Sequence, residues 1–268
     1  MWDILVSIVV LAWATAIELS ASMRYFTRML LYYSLLLLNA LVLIPFAALH
    51  PGRLENMIPG ARAMHYVGRL LGYRVKVDEP KHLAEERPFV IVANHQHSID
   101  LLTLFELWPV MRKCATVSKK ELLYLTGSFG MFAKLCGTIF IDRRDREGSK
   151  KTLEDAVMKA KEERSKVWIF PEGTRHHEPG VRTMLPFKAG AFNAAVKAGV
   201  PILPVVISHY EFYDKKRKVL ESGDIHVRVL DPIETEGISD VERLMKDTRN
   251  VMIESLQNDQ TKGMLSSL

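Results

Sequence analysis

Cysteine is scarce in this chain of 268 residues, which contains only Cys114 and Cys136. Two cysteines cannot build a disulfide framework, and these two lack the paired spacing of a metal-binding motif, so a reducing compartment suits the chain best. We interpret both as small buried residues. The sequence also lacks an internal repeat and any low-complexity stretch, and its length suits one globular domain, because single domains commonly extend to ~250 residues.

Long runs of one charge are also missing, although the net charge is +5. The basic clusters are short, and most are interleaved with acidic residues; Lys-Lys-Arg-Lys at residues 215–218 is one of them. A positive surface suits anionic partners, which include phospholipid membranes, phosphorylated substrates and nucleic acid. Charge alone does not choose among them, and a solvated face is a sufficient explanation for any one cluster.

Charge is absent altogether from residues 29–49, a stretch about as long as the ~20 residues that a helix needs to cross a membrane. We predict a membrane helix there. Residues 4–17 form a shorter apolar stretch between Asp3 and Glu18, for which spanning, re-entrant and hairpin arrangements all stay open. A cleaved signal peptide is disfavoured because Asp3 stands where a basic residue is expected. Basic residues just after the long stretch favour a cytosolic position for the rest of the chain.

Apolar β-branched segments alternate with helical patterns through residues 51–268, which we treat as one globular domain behind a membrane anchor at residues 1–50. A helix is predicted over residues 149–164, where apolar side chains recur at i, i+3, i+4 and i+7. Such alternation predicts an α/β fold with a mixed, mostly parallel sheet flanked by helices, preceded by one membrane helix or a two-helix hairpin. The predicted strands are residues 74–77, 89–93, 138–141, 167–170, 202–207 and 225–230.

The segment Asn-His-Gln-His-Ser-Ile-Asp at residues 94–100 directly follows a predicted strand. Active sites of α/β proteins lie at the carboxyl ends of strands. His95 and Asp100 would be about 140° apart on a continuous helix, so they can meet only if His95 lies in the turn before the helix. The carboxylate would then fix the imidazole tautomer and leave Nε2 free to accept a proton, as in the His-Asp half of a serine-protease triad. The alternative is that Asp100 interacts only with the helix N-terminus and His95 is an ordinary turn residue.

A second polar segment, Glu172-Gly173-Thr174-Arg175, also follows a predicted strand directly. Gly173 permits a tight turn, and Thr174 offers a hydroxyl group. Arg175 can hold a phosphate through two parallel hydrogen bonds. The alternative is a polar turn in which Glu172 pairs with Arg175 and braces the loop.

Two further strand ends accompany these segments. Residues 137–143 bring the basic side chain of Arg143 to a strand end, where it can contact a phosphate. Residues 200–206 form an apolar strand that contains Pro201 and Pro204 and can shape a wall for an acyl chain. Each of the two is a weak indication on its own.

Taken in this order, the four segments resemble those of the glycerolipid acyltransferases, and within them the 1-acylglycerol-3-phosphate acyltransferase family, also called lysophosphatidic acid acyltransferases. The family's His-x4-Asp pattern is met by His95 and Asp100, and its Glu-Gly-Thr-Arg block by residues 172–175. Two positions depart from the usual pattern. His97 stands where a small polar residue is usual, and Ala189 where a second basic residue often occurs.

The resemblance implies that His95 is the general base and that Asp100 orients it. It implies a fatty acyl transfer from acyl-CoA to the sn-2 hydroxyl of lysophosphatidic acid, giving phosphatidic acid. Transfer would be direct, because a Gly-x-Ser-x-Gly nucleophile elbow is absent from the sequence. The substrate-binding residues implied are Arg143, Glu172, Gly173, Thr174, Arg175, Lys188 and Pro204.

We therefore expect acyl-CoA, lysophosphatidic acid and membrane lipids as partners, and no nucleic acid. No metal or redox cofactor is implied, since acyl-CoA serves as the co-substrate. The expected location is a membrane, that of the endoplasmic reticulum. The oligomeric state and the preferred acyl chain stay open, and glycerol-3-phosphate or another lysophospholipid is the alternative acceptor.

Two other interpretations stay open. His95 and His97 with Asp100 partly match the His-x-His-x-Asp-His ligand run of metallo-hydrolases, although the acid comes one residue late and no histidine follows it. The other is a membrane-bound scaffold or lipid-binding protein that has the acyltransferase fold but no enzymatic activity. The intact His95, Asp100 and Arg175 argue against a scaffold.

Overall fold

The computed structural model describes residues 2–265 of the chain. The helices are α1 (Trp2–Leu19), α2 (Ala21–Ala48), α3 (Met57–Leu70), α4 (Lys81–Ala84), α5 (Asp100–Met111), α6 (Lys120–Leu125), α7 (Ser128–Leu135), α8 (Arg146–Glu162), α9 (Gly190–Ala198) and α10 (Val241–Leu265). The strands are β1 (Tyr73–Asp78), β2 (Phe89–Ala93), β3 (Cys114–Lys119), β4 (Ile139–Ile141), β5 (Lys166–Ile169), β6 (Ile202–Ile207), β7 (Tyr213–Asp214), β8 (Val219–Leu220) and β9 (Gly223–Val229).

A seven-stranded sheet in the order β1-β9-β6-β2-β5-β3-β4 forms the centre of the fold. Strand β2 pairs in parallel with β5 and β6, and β3 pairs in parallel with β5 and β4. Strands β6 and β9 are antiparallel, so β9 and its parallel partner β1 run against the other strands. The predicted mixed, mostly parallel sheet with flanking helices is confirmed.

The two faces of the sheet are covered by different helices. In β2, Phe89, Ile91 and Ala93 join the cluster that α2, α3 and α5 cover, whereas Val90 and Val92 join the cluster under α8, α9 and α10. Burial on both faces explains why the central strands are continuous apolar runs that stand out in the sequence. Strand β3 was not among the predicted strands, because half of its sequence, Cys-Ala-Thr-Val-Ser-Lys, is polar.

The predicted membrane helix is the larger part of α2, which begins at Ala21 rather than at residue 29. Ser20 caps its start, because the hydroxyl oxygen accepts the backbone N–H of Met23 at 3.4 Å. Among residues 2–265, α2 is the one helix long and apolar enough to cross a membrane, and an 18-residue window of it has a mean hydropathy of 2.1. Helix α1 precedes it and carries the shorter apolar stretch, for which the arrangement relative to a membrane stays a prediction.

Helix α2 has two apolar faces with different surroundings. One face is buried against the rest of the chain and contributes to the hydrophobic cluster around β2, so this cluster extends across the predicted boundary at residue 50. The other face is exposed and apolar, as expected for a surface that contacts lipid or another protein. The buried residues are Tyr25, Tyr32, Leu36, Ala40 and Ala47. The exposed residues include Phe26, Leu30, Leu31, Leu38, Leu41, Val42 and Phe46.

Close packing of α2 depends on a glycine in α3. A Cβ atom added to Gly60 would lie 3.1 Å from Leu43 of α2 and 3.1 Å from Phe132 of α7. The Asn39 side chain of α2 also donates a hydrogen bond to the Gly60 carbonyl oxygen at 3.1 Å. The absence of a side chain at residue 60 therefore lets the three helices meet.

Replacing this glycine should loosen the helix contact. We expect Gly60→Leu to lower the stability of the detergent-solubilised protein by ~1–3 kcal/mol, because the added atoms have no space between α2 and α7. Thermal unfolding measures the loss, and Ala63→Leu at an exposed position of α3 is the matched control. An equal unfolding temperature for the two variants would contradict the packing role.

Candidate active site

The polar segments that the sequence singled out meet at one edge of the sheet. His95 follows β2, Arg143 follows β4 and Glu172 follows β5. These strands run in the same direction, so their carboxyl ends lie at the same edge. The loop after β6 reaches this edge as well, because β6 is parallel to β2.

Side-chain amides join the ends of β2 and β6. The Asn94 side chain donates to the Ile207 carbonyl oxygen at 2.9 Å and accepts the Ile207 N–H at 2.8 Å. The Gln96 side chain donates to the carbonyl oxygen of Ser208 at 2.8 Å. All four residues are buried, so unpaired groups here would be costly and the two loops are held together.

His95 and Asp100 form the pair that their spacing predicted. His95 lies in the turn after β2, and Asp100 is the first residue of α5. The His95 Nδ1 atom lies 2.6 Å from Asp100 Oδ2, and the carboxylate is fully buried. With the proton on Nδ1 donated to Asp100, the unprotonated Nε2 is available as a base. This is the geometry in which a histidine accepts a proton from a bound alcohol.

The Asp100 carboxylate has three partners besides His95. Its Oδ2 atom accepts the N–H of Gln96 at 2.7 Å and that of His97 at 3.2 Å. The buried phenol of Tyr210 donates to Oδ1 at 2.6 Å. Burial and the neighbouring carboxylate raise the pKa of Tyr210, so the phenol remains a donor. These bonds hold the carboxylate fixed in position.

Sequence reasoning missed Tyr210. It follows β6 and lies outside the four segments that carried the resemblance, and nothing about one tyrosine in a loop indicates a carboxylate partner. The parallel pairing of β6 with β2 is what brings it to Asp100. A search for polar residues after every strand of the sheet would have found it.

The His95 ring is held from one side by an aromatic contact. It stacks on Phe170, with the ring centroids 4.0 Å apart and the planes 15° from parallel. The backbone oxygen of His95 accepts the N–H of His176 at 2.8 Å. About a sixth of the His95 side chain is exposed, at 17%. The ring is therefore fixed, and part of it is open to a substrate.

Glu172 lies beneath the loop that it begins. One carboxylate oxygen accepts the N–H of His95 at 2.7 Å and the other accepts the N–H of Leu185 at 2.8 Å. Burial raises the pKa of Glu172 to about 7. The alternative drawn from the sequence was an ion pair between Glu172 and Arg175. Glu172 instead braces the loop through two backbone N–H groups. Its predicted contact with substrate stays a prediction.

The predicted basic residues surround the same loop. The Arg143 guanidinium group donates to the carbonyl oxygen of Gly173. The Lys188 side chain passes so close to Gly173 that a Cβ there would lie 2.8 Å from Nζ, and the φ of +70° also favours glycine. Thr174 and Arg175 are exposed, as are Arg143 and Lys188. The four polar side chains therefore form a mostly basic rim beside His95.

Pro204 does not join this rim. It is buried in the middle of β6, in register with Val92, and its carbonyl oxygen accepts the N–H of Leu230 at 3.0 Å. Its predicted role at the acyl donor stays a prediction.

His97 occupies a different environment from His95. Its ring lies against Tyr213, with the centroids 4.3 Å apart, and its Nδ1 faces the N–H of Ile99 at 3.4 Å. Burial lowers the pKa of His97 to about 4, so this imidazole is neutral at physiological pH. Asp100 binds only the backbone of His97, which leaves His95 as the histidine whose ring pairs with the carboxylate.

A sequence model of the Acyltransferase family matches residues 74–208, the span from β1 to the end of β6. The 1-acyl-sn-glycerol-3-phosphate acyltransferase alpha of Homo sapiens is 38% identical over 247 residues, which cover 91% of this chain and 85% of that protein. The 1-acyl-sn-glycerol-3-phosphate acyltransferase of Saccharomyces cerevisiae is 36% identical over 201 residues, covering 74% of this chain and 65% of that one. The chain belongs to the 1-acyl-sn-glycerol-3-phosphate acyltransferase family.

The fold of this acyltransferase is also found in a solved structure. The 1-acyl-sn-glycerophosphate acyltransferase PlsC from Thermotoga maritima superposes with a TM-score of 0.68 and 20% sequence identity, over 89% of this chain and 98% of that chain. At this identity the likeness concerns the fold. The predicted family and enzyme class are confirmed by the sequence relatives, whereas the roles of individual residues stay predictions.

Tyr210→Phe tests the bond to Asp100. Without the phenol, the Asp100 carboxylate loses one hydrogen-bond donor and is held less firmly against His95. We expect kcat/KM to fall about 10-fold while thermal unfolding still shows a folded protein, since one hydrogen bond is worth ~1–1.5 kcal/mol.

Tyr213→Phe is the control, because that ring lies against His97. Equal values of kcat/KM for Tyr210→Phe and Tyr213→Phe would contradict a specific role for the bond to Asp100.

Glu172→Gln tests the buried carboxyl group. The pKa of Glu172 is about 7 in the folded protein against 4.5 in water, so the folded state keeps the proton longer than the unfolded state. The protonated carboxyl group of Glu172 is therefore the form that favours the folded state. Its stabilising contribution is complete below pH 4.5 and is lost as the pH rises through 7. We expect the unfolding free energy of wild type relative to the variant to fall by an amount on the order of 3 kcal/mol across that window.

Thermal unfolding at a series of pH values measures this difference. Glu178→Gln, at an exposed position two residues before Gly180, reports the background pH dependence. A wild-type advantage that is constant or grows with pH would contradict the direction of the shift.

Proposed function

We propose that this protein transfers a fatty acyl group from acyl-CoA to the sn-2 hydroxyl of lysophosphatidic acid, giving phosphatidic acid. The observation that carries the proposal is the His95–Asp100 pair beside a basic rim, in a chain 38% identical to a human acyltransferase named for this acceptor. The rim side chains named above suit the phosphate, and His95 suits the hydroxyl.

In the proposed mechanism, His95 Nε2 takes the proton of the sn-2 hydroxyl as that oxygen attacks the thioester carbonyl carbon. The buried Asp100 carboxylate stabilises the imidazolium that forms. The tetrahedral intermediate then collapses, the carbon–sulfur bond breaks, and the imidazolium gives its proton to the departing thiolate of coenzyme A. Protons and charge balance without a covalent acyl-enzyme.

The basic rim supports binding of an anionic acceptor. Arg175 and Lys188 are exposed and no ion pair is recorded for either among the described residues, so both are available for a phosphate. Arg143 holds the Gly173 carbonyl and thereby the loop that presents Thr174. Orientation of the hydroxyl over His95 would contribute much of the rate, because two amphiphilic substrates must be held in register.

The proposed reaction takes place at a membrane. Acyl-CoA is the donor, and no metal or redox cofactor takes part. The exposed apolar face of α2 supports membrane association, and the membrane we propose is that of the endoplasmic reticulum. Lipid substrates would then reach the site from the membrane surface.

His95→Ala tests the function and the base together. We expect purified wild type in detergent to convert radiolabelled oleoyl-CoA and lysophosphatidic acid to labelled phosphatidic acid. The variant should be slower by ~10²–10⁴-fold, because general-base assistance contributes about that factor. The labelled lipid product is followed by chromatography, with glycerol-3-phosphate and other lysophospholipids tested in parallel.

His82→Ala is the matched control, because His82 pairs with Glu85 at 2.6 Å near the opposite end of β2. Retained activity in a folded, membrane-bound His95→Ala protein would overturn the mechanism. Labelling of a different acceptor would overturn the substrate assignment alone. The absence of any labelled product from folded wild type would favour a non-catalytic lipid-binding role.

A further inference from the structure

We propose that the β7–β8 hairpin is a binding surface for anionic phospholipid headgroups at the membrane. The hairpin consists of Tyr213–Asp214, Val219–Leu220 and the basic residues 215–218 between them. It lies outside the catalytic pair and the basic rim. Its sequence alone indicates no more than a solvated cluster of charge. Its position beside the start of α2 is what indicates a contact with the membrane.

The tip of the hairpin has a fixed shape. The Asp214 carboxylate accepts the N–H of Lys216 at 2.8 Å and that of Arg217 at 2.9 Å, which closes the turn. Tyr213 and Leu220 are buried at its base in the hydrophobic cluster around β2. The basic side chains therefore project from a supported turn.

The hairpin rests on the first turns of α2. The Lys218 ammonium group lies 5.6 Å from the ring centroid of Tyr25 and 5.8 Å from that of Phe26. These are distances of cation–π contacts. Glu221, directly after the hairpin, pairs with Arg24 of α2 at 3.1 Å. Two cation–π contacts and one ion pair thus hold the hairpin beside the start of this helix.

The same turns of α2 begin its lipid-facing surface. Phe26 is 56% exposed, Leu30 61% and Leu31 46%, so the outward apolar face starts beside Lys218. A helix with this face in contact with the hydrocarbon region brings its neighbours to the level of the headgroups. The cations of the hairpin would then lie where the phosphates of an anionic membrane lie.

The three cations at the tip are available for such phosphates. Lys215, Lys216 and Arg217 are exposed, and no ion pair is recorded for any of them among residues 2–265. Each cation near an anionic membrane surface contributes about a fivefold gain in affinity, which corresponds to ~1 kcal/mol. Together they predict a preference of about 100-fold for an anionic over a neutral membrane at low salt, and less where salt screens the surface.

The test compares a triple variant with wild type. In Lys215→Gln, Lys216→Gln, Arg217→Gln, three charges are removed without touching the contacts of the hairpin base. Full-length protein in neutral detergent is diluted into vesicles of phosphatidylcholine, with or without phosphatidylserine, and the vesicle-bound fraction is measured by flotation. Insertion of α1 and α2 contributes equally to both vesicle types, so the ratio of the two partition coefficients isolates the charge effect.

We expect wild type to prefer the vesicles that contain phosphatidylserine, with a preference that weakens as salt rises. The triple variant should lose most of that preference, and the matched control should keep it. The control is Lys150→Gln, Lys151→Gln, Lys159→Gln on α8, which removes the same charge from the other face of the sheet. Arginine in place of Lys215 and Lys216 should preserve the preference.

Equal preference in the triple variant and wild type would overturn the proposal. A raised KM for acyl-CoA in neutral micelles, with the lipid preference intact, would also overturn it, because the cations would then bind the phosphates of coenzyme A. Flotation needs no turnover, so its outcome is independent of whether the proposed acyl transfer is correct.

Discussion

The buried carboxylate of Asp100 is the group on which the site depends. A carboxyl group inside a protein is costly unless hydrogen-bonding partners surround it, and Asp100 has an imidazole, two backbone N–H groups and a phenol. Those partners lie in the turn after β2 and in the loop after β6, so hydrogen bonds to one carboxylate hold both loops in position. The orientation of His95 follows from this requirement.

Glu172 extends the same arrangement to a third loop. Its two oxygens join the backbone of His95 to that of Leu185, and the Arg143 side chain adds β4 through the Gly173 carbonyl. The loops are therefore braced from below by buried acidic groups, while the exposed basic side chains point outward. The exposed Arg175 and Lys188 are therefore available for an anionic ligand, while Glu172 and Asp100 hold the loops in position.

Helix α2 links the site to the apolar surface that we propose to be in contact with a membrane. Its inner face belongs to the same hydrophobic cluster as β2, and the Tyr32 phenol donates to the Ser98 carbonyl oxygen at 2.9 Å, close to Asp100. Its outer face is apolar and exposed. One helix thus contacts the turn that carries His95 and also presents an exposed apolar surface, so in the proposed function the chemistry takes place close to where amphiphilic substrates reside.

The central strands, the long apolar helix and the contact of His95 with Asp100 could all be predicted from the sequence. Strands β2 and β6 are apolar runs buried on both faces, so their composition alone identifies them, and the His-x4-Asp spacing follows directly on β2. The start of α2 was missed because Arg24 and Arg28 interrupt the apolar run; in the folded chain Arg24 pairs with Glu221, and Arg28 binds the Leu71 carbonyl oxygen.

Tertiary structure alone decided the contacts between distant segments. Tyr210 reaches Asp100 across 110 positions of sequence, Glu172 turns inward to brace His95, and residues 215–218 come to rest on α2. Strand β3 is half polar and is defined by its pairing with β5 and β4 rather than by its own residues. Local composition encodes burial and turns, but hydrogen bonds between loops depend on the order and direction of strands, which no single segment specifies.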